Sequence, residues 1–547
     1  MTTSLPSRRS LLKGAALAAV AGTALPSLAA CSSGPGGGTA GPAPRKAVPM
    51  PTYVEPVKPA PDLPGTKQGV MDVYKSFPLN GPASVKGPAG DGQDFDVLLM
   101  TYGQPTPPLS KSAYWQLLNK ELNVHIKPTI VPAADFEQKF PALVAGGDLP
   151  DVVSVPMYVN VSRLPQLAQA QFTDLSDHLS GDAVKKYPNL AGIQESAWAN
   201  GYLNGRIYGV PKSDPVFGSM IYTKTDVIEK AGADPAPKNL AEFTTLAKQV
   251  TDARRGVYAF GGGATVMLRD TMLMAFGVPN KWTRKKDGSF VSMYEHPAFI
   301  DAVDAIGKLW KAGYYHPDSP TMNKTQHDAL FRSGKLVLLE EGNRSVGLVA
   351  DDSKVVFGMM TPFAQDGGKP VYWENSGAYA ITMLRRTGSK KKVDQFLRVL
   401  DYLAAPFGTK ESFVVNYGEK GTDYEMKDGI PVLTTRGQRE QDLGLAYIVG
   451  GPQTLCYPQG APGVDRMNHA WQSKVVPMLL KDPAAHLHSN TKNTKGASLD
   501  QHMQDAIKAV AYGRSPASSL KSAVAAYKRG GGDAMARDYA KAAEATA

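Results

Sequence analysis

Four consecutive residues, Tyr372, Trp373, Glu374 and Asn375, join flat aromatic surfaces to a carboxylate and a planar amide. Side chains of these types stack on apolar C–H faces and hydrogen-bond to hydroxyl groups beside them. Similar mixtures follow several apolar, β-like runs. Tyr102 and Gln104 come after residues 95–101, Tyr158 and Asn160 after residues 152–155, and Glu341, Asn343 and Arg344 after residues 335–339. Lys212 and Asp214 follow the turn-rich run 205–211. Trp282 stands beside Lys281 and the basic residues 284–286, a setting that suits an acidic group or an ordinary surface loop. Trp471 lies in a helical stretch, where it is either a contact or core. All of these are candidate ligand contacts, each with a plain structural alternative: packing for the tryptophans, a solvated turn for the charged residues.

Catalytic and cofactor motifs are sparse. The chain has no nucleophile elbow, P-loop or dinucleotide fingerprint. Gly261, Gly262 and Gly263 follow an apolar run, but no Gly-Lys-Ser/Thr comes after them. His486 and His488 lack a third ligand nearby, and Asp351 and Asp352 lack the alternating acids of a calcium loop. No catalytic residue, metal ligand or cofactor is therefore assigned, although a structural calcium and a glycosidase-type carboxylate pair both remain compatible with the composition. The formal charge of +10 comes from 60 basic and 50 acidic residues spread along the chain. Its basic clusters, 284–286 and 390–392, carry no interleaved aromatic ladder, so nucleic acid is not an expected partner.

The N-terminus is an export signal by pattern. Arg8, Arg9 and Lys13 precede the apolar run 14–28, which ends in Leu28, Ala29, Ala30 and Cys31. The paired arginines resemble a twin-arginine signal, and the last four residues resemble a bacterial lipoprotein box with Cys31 as the lipidated residue. Cys456 is the other cysteine of the chain, which leaves no disulfide framework once Cys31 is acylated. Residues 31–92 hold twelve prolines with much Gly, Ala and Ser and read as a tether, whose stretch 69–79 has an apolar pattern that could pack on the body.

The elements that must position the candidate residues begin at 95–101 (FDVLLMT), a buried-type strand. A helix at 113–122, a strand at 124–130, a helix at 136–144 ended by Gly146 and Gly147, and a strand at 152–155 follow. Strand–helix alternation predicts parallel pairing in an α/β layer fold. Asn204 and Gly205 between apolar pairs predict a hairpin. At 547 residues the chain exceeds one ordinary core, and two or three domains are expected.

The order of these blocks resembles extracellular solute-binding lipoproteins of ABC importers, in particular the large sugar- and oligosaccharide-binding members, aldouronate and complex-glycan binders among them. The resemblance rests on residues 142–153 (ALVAGGDLPDVV), 205–211 (GRIYGVP), 331–335 followed by 336–343, 417–424 (YGEKGTDY) and 528–539, and it spans about 93–545. Arg537, Asp538, Tyr539 and Ala540 depart from the family's closing segment. The resemblance implies an α/β, periplasmic-binding-protein-like fold: two lobes joined by a hinge of two or three crossing segments, with a ligand cleft between them. The expected division is signal 1–30, tether 31–92, N-terminal lobe 93–211 and 372–450, and C-terminal lobe 212–371 and 451–547. It further implies a non-enzymatic, monomeric protein on the outer face of the membrane. The protein would capture a carbohydrate by lobe closure and deliver it to permease subunits. A peptide or other solute is the alternative ligand, and a surface glycan-active enzyme is a more remote one.

Overall fold

The strand Asp94–Thr101 forms the heart of the first lobe. Its sheet has the order His125–Pro132, Asp94–Thr101, Val152–Pro156, Ala378–Leu384, Val210–Ser213. The first three strands are parallel, and Ala378–Leu384 runs antiparallel to both its neighbours. Phe95, Val97 and Leu99 pack with Trp115 and Leu118 on one face, whereas Leu98 and Met100 pack with Phe136 and Phe140 on the other. Burial on both faces explains why the strand is continuously apolar over Val97, Leu98, Leu99 and Met100, whereas its start alternates with the exposed Asp94 and Asp96.

The computed structural model describes residues 46–101, 108–159, 161, 163–262, 266–343, 356–441, 445–456, 463–485 and 487–545. The helices beside the sheet start and stop where their chemistry requires. Ser112 accepts a hydrogen bond from Trp115 N to begin Ala113–Leu122, and Asn123 ends that helix in the left-handed region. Ala133–Gly146 stops at Gly147, whose φ of 76° suits glycine, and leads to the fully buried strand Val152–Pro156. Asn204 and Gly205 make the turn of the short hairpin Tyr202–Leu203 with Arg206–Ile207.

In the second lobe Ser219–Lys224 lies between Leu338–Gly342 and Phe357–Met359, all antiparallel. The helices Phe299–Lys311, Ala497–Ala511, Ser519–Tyr527 and Asp533–Ala545 contribute Phe299, Ile306, Met503, Ile507, Leu520 and Tyr539 to its core. This lobe is thus completed by the last segment of the chain.

Three segments run side by side between the lobes. Ser213 N donates to Gly450 O (3.0 Å), Asp214 N to Gly377 O (2.9 Å) and Asn375 N to Val216 O (2.8 Å). Lys212 and Ser213 still belong to the first sheet, while Tyr372–Trp373 pairs in parallel with Leu479–Leu480 beside the second lobe.

The proline-rich stretch is laid along the body from residue 46 onward. Val70, Met71, Val73, Tyr74 and Phe77 of this stretch are buried, whereas Tyr53, Val54, Val57, Leu63 and Leu79 stay exposed. Phe77 sits 4.7 Å from Phe407 and 5.1 Å from Phe413 between ring centroids. Met71 N donates to Gln472 Oε1 (2.9 Å), and Gln472 Nε2 reaches Asn343 Oδ1 (3.3 Å) and Asn468 Oδ1 (3.2 Å). All three amides are buried, so removing one strands its partners without water. Gln472→Leu is expected to lower unfolding free energy by about 2 kcal/mol or more, measured by urea denaturation.

Candidate ligand cavity

The cavity next to the hinge has a volume of about 340 Å³. Its aromatic walls include Trp282, Tyr294, Trp373, Tyr527 and Tyr539. Trp282 meets Tyr539 edge-on at 5.1 Å, and Tyr294 meets Tyr527 in the same way at 4.9 Å. Such contacts lock ring orientation, which a stacking surface needs. Trp373 is half-buried, and its Nε1 donates to Val278 O (2.9 Å), fixing the indole plane at the cavity wall. Asn280 Nδ2 donates to Glu374 O (2.9 Å) and Leu480 O (3.0 Å), tying the crossing segment to this wall.

Charge enters from three distant parts of the chain. Arg269 Nε donates to Asp270 Oδ1 (2.7 Å), and that neighbouring carboxylate holds the guanidinium above its ordinary range. Both residues open the helix Arg269–Ala275, whose entry residue Leu268 has φ 67°. Glu340 secures that entry: Leu268 N and the Thr271 hydroxyl each donate to it at 2.6 Å. Burial pushes the Glu340 carboxyl up to about 7. Lys281 and Lys492 also line the cavity, as do Asp482 and Asp500. Burial and then the nearby Lys281 depress the Lys492 ammonium, while burial raises the carboxyls of Asp500 and Glu374. A wall carrying both signs suits a ligand rich in hydroxyls, because each hydroxyl both donates and accepts.

Across the hinge, the end of the first lobe's sheet carries a row of tyrosines beside the interior strands Val152–Pro156 and Ala378–Leu384. Tyr158 and Tyr379 stand 6.4 Å apart, and Tyr379 and Tyr447 5.3 Å apart. Tyr158 is nearly half exposed, and its hydroxyl contacts Met100 Sδ at 2.9 Å. Arg163 N of this lobe donates to Asn493 O (2.8 Å) of the other, beside the cavity residues Lys492 and Gly496.

Apart from Tyr158 in the tyrosine row, the described residues singled out by type fall into three groups. Trp282, Tyr372, Trp373, Glu374 and Asn375 lie together in the cavity wall, although Trp282 is buried in the second-lobe core and Tyr372 is buried and gives its hydroxyl hydrogen to Ser219 O. Lys212 and Asp214 are in the hinge, with Asn375 Nδ2 donating to Asp214 Oδ2 (2.9 Å). Glu341, Asn343 and Trp471 are engaged elsewhere. Glu341 accepts from Lys324 Nζ (2.6 Å), Asn343 belongs to the buried amide network, and Trp471 donates to Met360 O (2.8 Å) from the core. Tyr102, Gln104, Asn160, Arg344 and Cys31 lie outside the described residues. Type and local order alone did not single out Arg269, Asp270, Tyr294, Lys492, Asp500 or Tyr527. Tyr539 closes the 528–539 block, a signal of family kinship without a role attached. Among the described residues there is no group of three His, Cys, Asp or Glu that could hold a metal.

Two α/β lobes, a laddered hinge and an aromatic, charge-lined cavity beside it define a solute-binding architecture. Residues 103–406 match the bacterial extracellular solute-binding protein model, and the chain belongs to that family. Among curated relatives, Lipoprotein LipO of Bacillus subtilis (strain 168) is 23% identical over 83% of this chain and 93% of its own. The polygalacturonan/rhamnogalacturonan-binding protein YtcQ of the same organism is 22% identical over 84% of this chain and 93% of its own. Among solved structures, the alginate-binding protein AlgQ2 without calcium ion superposes with a TM-score of 0.64 at 14% identity, covering 84% of this chain and all but 1% of its own. The N-glycan transport solute-binding protein NgtS of Streptococcus pneumoniae gives 0.60 at 15% identity over 83% of this chain and 98% of its own. These structural likenesses bear on the fold, which is periplasmic-binding-protein-like.

Proposed function

We infer that this chain is a lipid-anchored extracellular receptor that captures an oligosaccharide between its lobes and delivers it to an ABC permease. The observation that carries the reading is the cavity wall itself: fixed aromatic faces alternate with carboxylates, ammonium groups and amides beside the hinge. Pockets of this composition at a domain junction hold a ligand by its apolar faces and orient it by its polar edge. Lobe closure follows from the hinge, because a ligand that touches both lobes stabilises the closed state by its extra contacts there. Names of relatives that bind polygalacturonan, alginate and N-glycans support the saccharide class. The lipobox-like Leu28, Ala29, Ala30 and Cys31 supports anchorage, and the basic start with Arg8 and Arg9 supports export. The protein acts without a cofactor, as a monomer, and without catalysis.

Lys281 and Lys492 offer two neighbouring ammonium groups to an acidic member of that class, in a wall they share with the carboxyls of Asp482 and Asp500. A uronate carboxylate between them would relieve their mutual repulsion. Thermal-shift screening of the mature protein against neutral oligosaccharides, oligogalacturonates and peptides tests the function. Stabilisation by a saccharide is expected, and stabilisation by peptides alone would overturn the reading. Lys492→Met is expected to weaken an oligogalacturonate about tenfold or more while sparing a neutral chain, as loss of one charge-assisted hydrogen bond would; calorimetric titration of both ligands checks this.

A further inference from the structure

Residues 48–84 cross from one lobe to the other and back. Val48 N donates to Gly205 O (3.0 Å), Thr52 N to Gly181 O (3.0 Å) and Val54 N to Ala191 O (2.9 Å), all in the first lobe. The chain then doubles back on itself, with Asp62 N donating to Val73 O (2.8 Å) and Thr66 N to Val70 O (2.9 Å). Lys58 pairs with Asp72, which also accepts from Gly65 N (2.8 Å) and so fixes the base of this loop. The loop is fastened to the second lobe. Met71 N reaches Gln472, His469 Nε2 lies 3.2 Å from Pro64 O, and Asp72–Val73 pairs in parallel with Thr454–Leu455 just past the third crossing segment. From Tyr74 onward the chain returns to the first lobe, where Ser84 N donates to Glu411 Oε2 (2.9 Å).

Between this strap and the hinge lies a second cavity of about 1120 Å³. Strap residues from Met50 to Asp72 wall it on one side, and Ser213, Asp214, Val216, Glu374 and Gly377 of the hinge on the other. Glu374 is the wall residue it shares with the ligand cavity. Gly69 presses directly on the hinge: a Cβ there, at φ +113°, would stand 2.4 Å from Val216 Cγ2. The Ser213 hydroxyl is buried against this space with no hydrogen-bond partner among the described residues.

We propose that the strap is a further tie between the lobes, beside the three crossing segments and the Arg163–Asn493 contact, seated on the hinge face away from the ligand cavity, and that it holds back full closure. Closing the lobes on the ligand side opens the opposite hinge face and separates the strap's two sets of anchors. The strap resists that separation through the Met71–Gln472 bond and the Asp72–Val73 pairing. The void beneath it leaves the hinge segments room to move without meeting packed side chains. Closure therefore works against the strap, and the apparent affinity is reduced by the fraction of molecules the strap keeps open. The proposal rests on lobe closure as the capture mechanism, but the ligand-free closed fraction can be read without any saccharide.

The test uses the mature protein with site-specific protease sequences inserted between Lys67 and Gln68 and between Lys75 and Ser76, so that both crossings of the strap are severed, compared before and after cutting. Spin labels on the exposed positions Lys120 and Lys521, one on each lobe, report the ligand-free interlobe distance distribution by pulsed electron resonance. Cutting is expected to enlarge the closed population at least threefold and to tighten trigalacturonate binding by a similar factor if that saccharide is bound. Gly69→Ala, which lifts the strap off Val216 without breaking the chain, is expected to shift the distribution in the same direction. Unchanged distributions in both the cut protein and Gly69→Ala would overturn the proposal. A shifted distribution without binding of any saccharide would leave the strap's role standing and count against the ligand class instead.

Discussion

Trp373→Ala is expected to weaken oligosaccharide binding at least tenfold. The indole is half-buried in the cavity wall, held by its bond to Val278 O and packed against residues of both second-lobe core clusters. Truncation removes a rigid face that contacts ligand with little loss of conformational entropy on binding, together with its dispersion contacts. Such a loss is worth about 1.4 kcal/mol or more, which is a factor of ten. Because Trp373 also contributes to packing, Trp373→Phe separates the two roles. Phenylalanine keeps an aromatic face and loses the Nε1 bond, so affinity should fall less than in the alanine variant while unfolding free energy drops measurably. Calorimetric titration paired with urea unfolding of each variant checks this. Equal affinity in the wild type and Trp373→Ala would remove this residue from the ligand contacts.

Stability should fall as pH rises from about 5 to 8, and Asp401 is a principal cause. Its carboxylate accepts from Asn189 N (2.8 Å) and Leu190 N (3.0 Å) in the first-lobe core. Burial, reinforced by the charge of Glu411, pushes it up to about 7. In the unfolded chain the same group titrates near 3.9, so between those values the folded state binds the extra proton. Its favourable contribution is complete below the unfolded value and is lost as pH rises through about 7, a span of roughly three units or about 4 kcal/mol. Glu340, also raised to about 7 by burial, acts in the same direction. Opposing them at the acid end are carboxyls held below their ordinary range, such as Glu440, which accepts from Ser112 (2.7 Å) and pairs with Arg436 (2.6 Å). Their contribution is lost as pH falls through their folded values, so maximal stability should lie in the weakly acidic range. Asp401→Asn keeps an oxygen for both backbone donors and removes the buried charge. It should raise stability at pH 8 by about 2–4 kcal/mol and flatten the alkaline slope, measured by denaturant unfolding from pH 5 to 8. A steeper alkaline slope in Asp401→Asn would contradict this assignment.

The scaffold was legible where local signals agreed. Residues 95–101, the helix ending at Gly147 and the strand from Val152 combine periodicity with caps; the strands appear within one residue of their expected limits and the helix within three. The Asn204–Gly205 turn is fixed by two residues that tolerate positive φ. The candidate site was legible only in part. Tyr372 to Asn375 and Trp282 meet in one wall because the second crossing segment runs beside Asn280. Arg269, Lys492 and Tyr539 reach that wall from segments far from Tyr372 to Asn375 in sequence, and no local pattern encodes such a meeting. Asn343 and Trp471 have the right types for a ligand contact, yet partners distant in sequence draw them into the core: Asn468 and Gln472 for the amide, Phe217 and Tyr372 for the indole. Residues 46–92 illustrate the opposite bias. Their composition cannot build a core of its own, but a few buried apolar side chains and regular backbone pairing are enough to hold them on one built by others.

Titration of an oligogalacturonate and of a neutral oligosaccharide into the mature protein, followed by calorimetry with small-angle scattering of the same samples, tests saccharide capture most directly. One-to-one binding of at least one saccharide, together with a smaller radius of gyration in the bound form, is the expected result. Absence of saccharide binding at millimolar concentration, with tight one-to-one binding of a peptide, would contradict it.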